Sequence, residues 1–218
     1  MTNRSTTKSD AEGPRLYVTF LKSAPTLADC PPADQPEVAF AGRSNAGKSS
    51  VLNRLTGSRQ TAKVSKTPGR TQVLNLFDVR DGGRLVDLPG YGYAKASKSA
   101  QAAWQRNVNE YLSERDSLVG VVLVMDIRHP LTEYDLELDA WAHQSELPLL
   151  ILLNKADKLK QGQRQKTLLA VRKALQDRPL TEVALFSAAS GLGSTELVAK
   201  VTSLLEQPFE AESPNEAS

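Results

Sequence analysis

Short apolar runs alternate along the chain with segments in which apolar and polar residues follow a helical period. Unbroken apolar runs are typical of strands that are buried on both faces of a parallel sheet. Two further strand-like segments, Thr71–Val79 and Arg84–Pro89, flank the turn signal Asp81-Gly82-Gly83, which predicts an antiparallel hairpin. The unbroken apolar runs predict strands at Leu118–Asp126 and Pro148–Lys155, and two shorter, largely apolar segments predict strands at Glu37–Gly42 and Glu182–Ala188.

Helical periodicity fills the intervals between the strands. Helices are predicted from Lys48 to Gly57, near residues 97–115, 132–146 and 163–176, and near the C-terminus. On the third of these, Glu133, Asp135, Glu137 and Asp139 are predicted to form a solvated face. The alternation predicts an α/β fold: a mostly parallel six-stranded sheet with one antiparallel hairpin and helices on both faces. Two apolar helix faces are predicted, Trp104, Val108, Tyr111 and Leu112 on one helix and Leu197, Val198, Val201, Leu204 and Leu205 on the last.

The 218 residues correspond to one ordinary domain, which we expect to span residues 15–209. Residues 1–14 and 210–218 are small, polar and charged, and they are predicted to be disordered tails. The N-terminus has no apolar signal region, and the apolar runs are too short to span a bilayer. One cysteine excludes a disulfide framework within the chain. We therefore expect a cytoplasmic monomer that does not associate with a membrane.

Charge changes this picture because it is unevenly spread. The formal net charge is only +2, but Val38–Asn109 contains twelve Lys or Arg residues and three acids, and the remainder is net acidic. Such asymmetry indicates a side that faces a polyanion, although part of it could serve a small phosphate ligand.

The segment GRSNAGKS, Gly42–Ser49, fits the phosphate-binding pattern G-x-x-x-x-G-K-[ST] between a predicted strand and a predicted helix. Glycines let backbone N–H groups converge on phosphate oxygens, and the helix N-terminus adds positive potential. Lys48 is predicted to reach the β- and γ-phosphates, and the Ser49 hydroxyl to ligate Mg²⁺.

The segment NKAD, Asn154–Asp157, decides between the nucleotide bases. It ends a buried strand, at the edge where open α/β sheets place ligands. A carboxylate at Asp157 accepts from both guanine N1–H and the exocyclic amine, whereas adenine has no donor at N1. The pair of motifs therefore predicts GTP and GDP as ligands.

Three shorter segments complete the predicted site. In DLPG, Asp87 would hold Mg²⁺ through water and the Gly90 N–H would meet the γ-phosphate. Thr71 is the favoured threonine for the Mg²⁺ shell and Thr67 the alternative, and Phe186–Ala188 would face guanine O6. Lys48, Thr71 and Gly90 are the predicted catalytic residues, and Ser49 and Thr71 the metal ligands. The predicted nucleotide contacts are Gly42, Arg43, Ser44, Asn45, Ala46, Gly47, Lys48, Ser49, Gly69, Arg70, Thr71, Gln72, Val73, Asp87, Leu88, Pro89, Gly90, Asn154, Lys155, Ala156, Asp157, Phe186, Ser187 and Ala188.

Together, GRSNAGKSS, TPGRTQ, DLPGYGYAK and NKADK closely resemble the EngB (YihA/YsxC) family of bacterial GTP-binding proteins, within the TrmE–Era–EngA–EngB group. The similarity extends over roughly Tyr17–Phe209. It implies a Ras-like P-loop G domain that hydrolyses GTP with Mg²⁺. It also implies a role in assembling the large ribosomal subunit from its precursor, and a link to cell division and septation. Asn45 resembles the P-loop Asn that ligates K⁺ in some relatives of this group, although it could instead only shape the loop.

Tyr91 follows Gly90, where many nucleotide switches have a Gln that orients the attacking water. We therefore expect hydrolysis to be slow without an activator. Three alternatives stay open at this stage. They are a GTP-gated RNA- or ribosome-binding module with little hydrolysis, a GTPase of the same group that serves tRNA modification, and a small-molecule kinase. The kinase is disfavoured by NKAD and by the lack of a candidate catalytic base.

Overall fold

The computed structural model describes residues 13–58, 73–91 and 98–209, with side chains from residue 106 onward in the helix that begins at Lys98. Seven strands form one sheet in the order β1-β3-β4-β2-β5-β6-β7. The strands are β1 Val18–Ala24, β2 Glu37–Gly42, β3 Leu74–Val79, β4 Arg84–Asp87, β5 Leu118–Asp126, β6 Leu149–Asn154 and β7 Thr181–Leu185.

The predicted fold class is confirmed, and β3 and β4 form the expected antiparallel pair. The sheet has seven strands rather than six because Val18–Ala24 pairs antiparallel with β3 at the sheet edge. The side chains of β1 are mostly exposed, so the segment lacks the apolar run that identifies a buried strand. Its assignment depends on hydrogen bonds to a strand that lies about fifty residues further along the chain.

In the described part of the chain, five α-helices cover the two faces of the sheet: α1 Lys48–Thr56, α2 Lys98–Glu114, α3 Glu133–Gln144, α4 Gln161–Ala174 and α5 Ser194–Leu205. The core between the sheet and α1 and α5 includes all five apolar residues predicted for the last helix. The core on the other face includes Val108, Tyr111 and Leu112 of α2, as predicted, with residues of α3 and α4. The side chain of Trp104 lies outside the described residues.

The direction of the strands decides where a ligand can bind. The strands β4, β2, β5, β6 and β7 are mutually parallel, so their carboxyl ends meet at one edge of the sheet. Gly42, Asp87, Asp126 and Asn154 are the last residues of four of them. The phosphate-binding segment and NKAD therefore start from neighbouring positions.

The opposite ends of the strands are held by a buried charge network around Glu37, which is fully buried. Its carboxylate accepts hydrogen bonds from the Tyr111 hydroxyl at 2.8 Å and from Arg115 Nη2 at 2.6 Å. Arg115 Nη2 also donates to the Pro31 carbonyl, at 2.9 Å, and Arg84 Nη1 donates to the Pro32 carbonyl, at 2.8 Å. The network thereby attaches the loop before β2 to the base of the sheet.

No helix among the described residues is long and apolar enough to cross a membrane.

Candidate nucleotide-binding site

The segment Gly42–Lys48 connects the end of β2 to the start of α1, as the sequence predicts. Gly47 has a φ of 100°, and a Cβ atom there would lie 2.4 Å from the Asn154 side-chain nitrogen. Asn45 has a left-handed φ of 68°, and the Ala46 N–H donates to the Arg43 carbonyl at 3.0 Å. The loop therefore curls tightly against the end of β6, and only glycine fits at position 47.

Lys48 and Asp87 form a buried ion pair at the start of α1 and the end of β4. The side chains are 10% and 2% exposed, so each charge depends on the other for compensation. The pair forms because β4 runs parallel to β2, with Asp87 opposite Phe40. A cationic group and an anionic group are thus placed together at the N-terminus of a helix.

The segment after β4 lies against the phosphate-binding loop. The Leu88 N–H donates to the Phe40 carbonyl at 3.0 Å, and the Ser44 N–H donates to the Tyr91 carbonyl at 2.7 Å. A Cβ atom on Gly90 would lie 3.4 Å from the Gly42 carbonyl oxygen. Asp87–Gly90 and Gly42–Ser44 are therefore neighbours, as their predicted shared role requires.

Tyr91 points away from this loop, into the protein. Its side chain is buried, and its hydroxyl donates to Asp135 Oδ1 near the start of α3. Its ring lies 5.6 Å from the ring of Tyr134. Burial and the Asp135 carboxylate raise the pKa of the Tyr91 phenol well above its ordinary value.

The prediction of a solvated acidic face on α3 is wrong for Asp135 and Asp139, each of which is only 2% exposed. Asp135 accepts from the Thr132 N–H and hydroxyl, both at 2.8 Å, and so caps the helix. Asp139 accepts from Arg178 Nε at 3.1 Å. The spacing Thr132-x-x-Asp135 is a capping signal that could have identified one of the two.

Asn154 joins two of the predicted segments. Its side-chain nitrogen donates to the Ala46 carbonyl at 2.9 Å, and its side-chain oxygen accepts from the Ala188 N–H at 3.4 Å. Lys155 Nζ donates to the Asn45 carbonyl at 2.5 Å and to Asp126 Oδ2 at 2.9 Å. The hydrogen bond from Arg128 is the main cause that lowers the pKa of Asp126 well below its ordinary value.

Asp157 faces the segment that follows β7. The Ser187 hydroxyl donates to Asp157 Oδ1 at 2.6 Å and accepts from the Ser190 N–H at 3.1 Å. This hydrogen bond from Ser187, more than any other interaction, lowers the pKa of Asp157. The Ala156 N–H donates to the Phe186 carbonyl at 3.0 Å, and both residues are buried. These contacts orient Asp157 and favour its ionised form, which can only accept hydrogen bonds.

These segments surround a cavity of about 770 Å³. Gly47, Asn154, Lys155, Asp157 and Ala188 line it, as the sequence predicts for a nucleotide pocket. The other lining residues were not predicted; they are Gly13, Pro14, Arg15, Ser50, Asn53, Arg54, Gly57, Lys158, Ala189 and Ser194. The first three belong to the N-terminal segment, and nothing in the sequence places that segment beside α1.

Some predicted residues lie outside the described part of the chain, namely Gly69, Arg70, Thr71 and Gln72, together with the alternative Thr67. Val73 is the first described residue after that gap, and it precedes β3.

Comparisons with known proteins agree with this geometry. A family profile described as "50S ribosome-binding GTPase" matches residues 37–155. A probable GTP-binding protein EngB from Psychromonas ingrahamii is 50% identical over 86% of this chain and 88% of its own length. Another, from Idiomarina loihiensis, is 48% identical over 88% of this chain and 94% of its own length.

The chain belongs to the EngB family of GTP-binding proteins. An EngB-type chain binds guanine nucleotides and hydrolyses GTP to GDP and phosphate. A crystal structure of a probable GTP-binding protein EngB has a TM-score of 0.64 at 21% identity, covering 79% of this chain and all of that one. A structure of Era in complex with MgGDPNP and nucleotides 1506–1542 of 16S ribosomal RNA has a TM-score of 0.58 at 24% identity. It covers 83% of this chain and 60% of Era. At these identities the two structures support the fold of this EngB-family chain.

Proposed function

We propose that the described cavity and the adjoining loop hold GTP, with its phosphates on Gly42–Ser49 and its base between Asn154–Asp157 and Phe186–Ala188. The observation that carries this is the position of Asn154, whose side chain is hydrogen-bonded to both the phosphate-binding loop and Ala188. A single side chain thereby fixes the distance between a phosphate site and a base site. The remaining predicted contacts, Gly69–Val73 and Asp87–Gly90, would close the phosphate end.

The residues present fit a Mg²⁺ ion beside the phosphates. Oxygen ligands are the ones that Mg²⁺ prefers, and Asp87 supplies a buried carboxylate that contacts Lys48, the residue before Ser49 at the start of α1. Ser49 and Thr71 would ligate the ion directly, and Asp87 would act through water. When bound, the ion neutralises charge on the phosphates.

The chain's own contribution to hydrolysis is then mainly electrostatic. Lys48 would turn from Asp87 to the β- and γ-phosphates, and the Gly90 N–H would donate to the γ-phosphate. Tyr91 does not orient the water, because its hydroxyl is bound to Asp135 in the interior. We therefore propose that hydrolysis is slow until a K⁺ at Asn45 or a bound particle assists it.

The partner that we propose is a precursor of the large ribosomal subunit, whose assembly the protein would assist in a GTP-dependent way. The family profile that matches this chain is that of a 50S ribosome-binding GTPase. Era, which shares the fold, has been solved in complex with part of 16S ribosomal RNA. The basic excess in Val38–Asn109 adds electrostatic support. The family resemblance also implies a role in cell division and septation, which we include in the proposal.

The test is sedimentation of the protein with large-subunit particles in the presence of GDP or a non-hydrolysable GTP analogue. We expect more protein in the pellet with the analogue, and no nucleotide effect for Lys48→Ala. Depletion of the protein in cells should shift large-subunit particles toward slower-sedimenting precursors on a gradient. Equal pelleting in both nucleotide states, with an unchanged gradient, would contradict the proposal.

A second candidate is a GTP-gated ribosome-binding module with little hydrolysis of its own. The burial of Tyr91 favours it, because the residue after Gly90 is unavailable to the attacking water. Single-turnover hydrolysis with and without large-subunit particles separates the two. A rate that particles do not raise would favour the gated module.

A further inference from the structure

Helix α4 has an unusually solvated position in the fold. It packs on the edge strand β7, and within the helix only Leu168 and Val171 are buried. Most of its remaining surface is exposed to solvent. The helix follows directly after NKAD and the short turn Ala156–Lys158, so it is attached to the base end of the nucleotide cavity.

The charge of this element is one-sided. Residues 158–176 contain six basic residues and no acidic one, although the chain outside Val38–Asn109 is net acidic. Two of the six serve the fold, because Arg164 donates to the Leu159 carbonyl and Arg172 to the Val183 carbonyl, each at 2.8 Å. The other four are Lys158, Lys160, Lys166 and Lys173.

Three residues form a stripe on the side of α4 that faces away from the sheet. Lys166, Leu169 and Lys173 are spaced at i, i+3 and i+7, so they lie one above another on the helix surface. Leu169 is 63% exposed, more than any other large apolar side chain described. The two lysines are about 10.5 Å apart along the helix axis, a spacing that suits several phosphates in a row better than one small anion.

The positive charge at the N-terminus of α4 destabilises the helix. Cations near a helix N-terminus oppose the helix dipole, and acids are usually found there. Helix α3 follows the rule with Glu133 and Asp135 in its first turn, and α5 with Glu196. Helix α4 has no acid in its first turn and has Lys160 at its N-cap. A partner that supplies negative charge would relieve this repulsion.

Part of the positive charge of α4 has no compensating carboxylate among the described residues. Among the residues that the structure describes, no carboxylate lies within ion-pair distance of Lys166 or Lys173. By contrast, exposed Lys200 on α5 is paired with Glu182, and Lys158 is 3.3 Å from Asp157.

We infer that the exposed basic surface of α4, made of the stripe Lys166, Leu169 and Lys173 and of Lys160 at the N-cap, binds the phosphate backbone of RNA. The inference deepens the proposed function and rests on it, since it identifies which surface contacts ribosomal RNA. Protein interfaces are depleted in lysine, whereas nucleic-acid interfaces are strongly positive. One exposed leucine is also too little apolar surface for a stable protein interface. The α4 surface would recognise the charge and shape of the RNA rather than its base sequence.

The test uses a labelled RNA duplex and deproteinised large-subunit ribosomal RNA, with affinity measured by fluorescence anisotropy over a range of KCl concentrations. The double variant Lys166→Gln/Lys173→Gln should bind on the order of tenfold more weakly at moderate salt. The slope of log K against log salt should also become shallower, by about 0.7–0.9 for each phosphate that the variant no longer neutralises. Lys22→Gln/Lys200→Gln is the matched control, because it removes the same charge from positions outside both α4 and the basic segment Val38–Asn109. We expect the control to retain the wild-type slope.

Equal weakening by both double variants would overturn the inference, because net charge alone would then explain it. Loss of particle binding in Leu169→Ser, with duplex binding unchanged in the lysine variant, would overturn it in favour of a protein partner. GTP affinity should be unchanged in every variant, since none of these residues lines the cavity. The duplex assay needs neither particles nor a nucleotide switch. Its failure is therefore distinguishable from a failure of nucleotide-dependent particle binding.

Discussion

Tyr91 shows how one side chain links the site to the rest of the molecule. Its carbonyl accepts from Ser44 in the phosphate-binding loop, while its hydroxyl donates to Asp135 on α3. Asp135 in turn caps its own helix through Thr132. Tyr91 is therefore a structural connection between the loop and α3. Its position after Gly90 would by itself suggest a catalytic role, because many nucleotide switches have the water-orienting Gln there.

The variant Tyr91→Phe should separate these roles. Loss of the buried hydrogen bond leaves Asp135 Oδ1 without its tyrosine donor, and we expect a loss of about 1–3 kcal/mol in the free energy of unfolding. Hydrolysis by the folded variant should equal that of the wild type. Tyr134→Phe is the control, since that ring is adjacent but 40% exposed. Denaturant unfolding and single-turnover hydrolysis are the measurements, and a large rate loss without a stability loss would instead make the phenol catalytic.

At the residue scale, we predict that Asp157 decides the choice of base. Asp157→Asn should weaken GTP binding and favour xanthosine triphosphate, whose base has an acceptor where guanine carries its amine. Because the Ser187 hydrogen bond lowers the pKa of Asp157, the carboxylate stays ionised further into the acidic range than an ordinary aspartate, and guanine affinity should fall only as acidic pH protonates it. Competition titrations with GTP, ATP and xanthosine triphosphate would show this. Equal binding of ATP and GTP by the wild type would contradict the assignment.

At the scale of elements, β2 connects two sites with different tasks. Its C-terminal residue Gly42 begins the phosphate-binding loop, and its N-terminal residue Glu37 is the centre of the buried network with Tyr111 and Arg115. The network positions the strand from below, while the loop above carries the candidate chemistry. Stability and nucleotide binding can therefore be changed separately within one strand.

The variant Glu37→Gln should lower stability without altering the nucleotide site. Breaking a buried ion pair by removing one partner costs about 3–5 kcal/mol, because Arg115 keeps its charge in a buried position. In a domain of this size that corresponds to a fall of roughly 6–20 °C in Tm. Glu182→Gln is the control, since its pair with Lys200 is exposed and should contribute at most about 1 kcal/mol. Unchanged Tm in Glu37→Gln would refute the structural role.

At the scale of the whole molecule, two basic stretches of the sequence adjoin the proposed nucleotide site. The segment Val38–Asn109 includes the predicted phosphate contacts, and α4 follows the predicted base contacts Asn154–Asp157. A particle that contacts both would meet the phosphate end and the base end of the site together. Nucleotide state and RNA contact would then be coupled through short connections rather than through the core.

Hydrolysis is proposed to need an activator, which is either K⁺ or the ribosomal particle. If Asn45 ligates K⁺, hydrolysis by the protein alone should be faster in KCl than in NaCl at equal ionic strength, because the cation neutralises charge that develops on the phosphates. Asn45→Ala should abolish that difference, and Asn53→Ala, which changes another asparagine near the cavity, should keep it. Equal wild-type rates in the two salts would exclude K⁺ and leave the ribosomal particle as the activator.

The sequence by itself determined the α/β class, the order of its elements from β2 onward and the class of GTP-binding protein. Gly42–Ser49 and Asn154–Asp157 could be identified because local backbone geometry and the ends of parallel strands dictate which residues can stand there. The apolar faces of α2 and α5 could also be predicted from the sequence, because helical periodicity is a property of neighbouring residues. These predictions depend on interactions within about one turn or one strand of the chain.

Only the tertiary structure decided the features that depend on distant partners. Tyr91 and Asp135 are 44 residues apart, and their contact follows from the packing of α3 beside the loop. The edge strand β1 lacks an apolar run, so only its pairing with β3 identifies it. The outward stripe of α4 became visible once Leu168 and Val171 were seen to occupy the buried side. Burial and hydrogen-bond partners are non-local, because they are set by which surfaces the folded chain brings together.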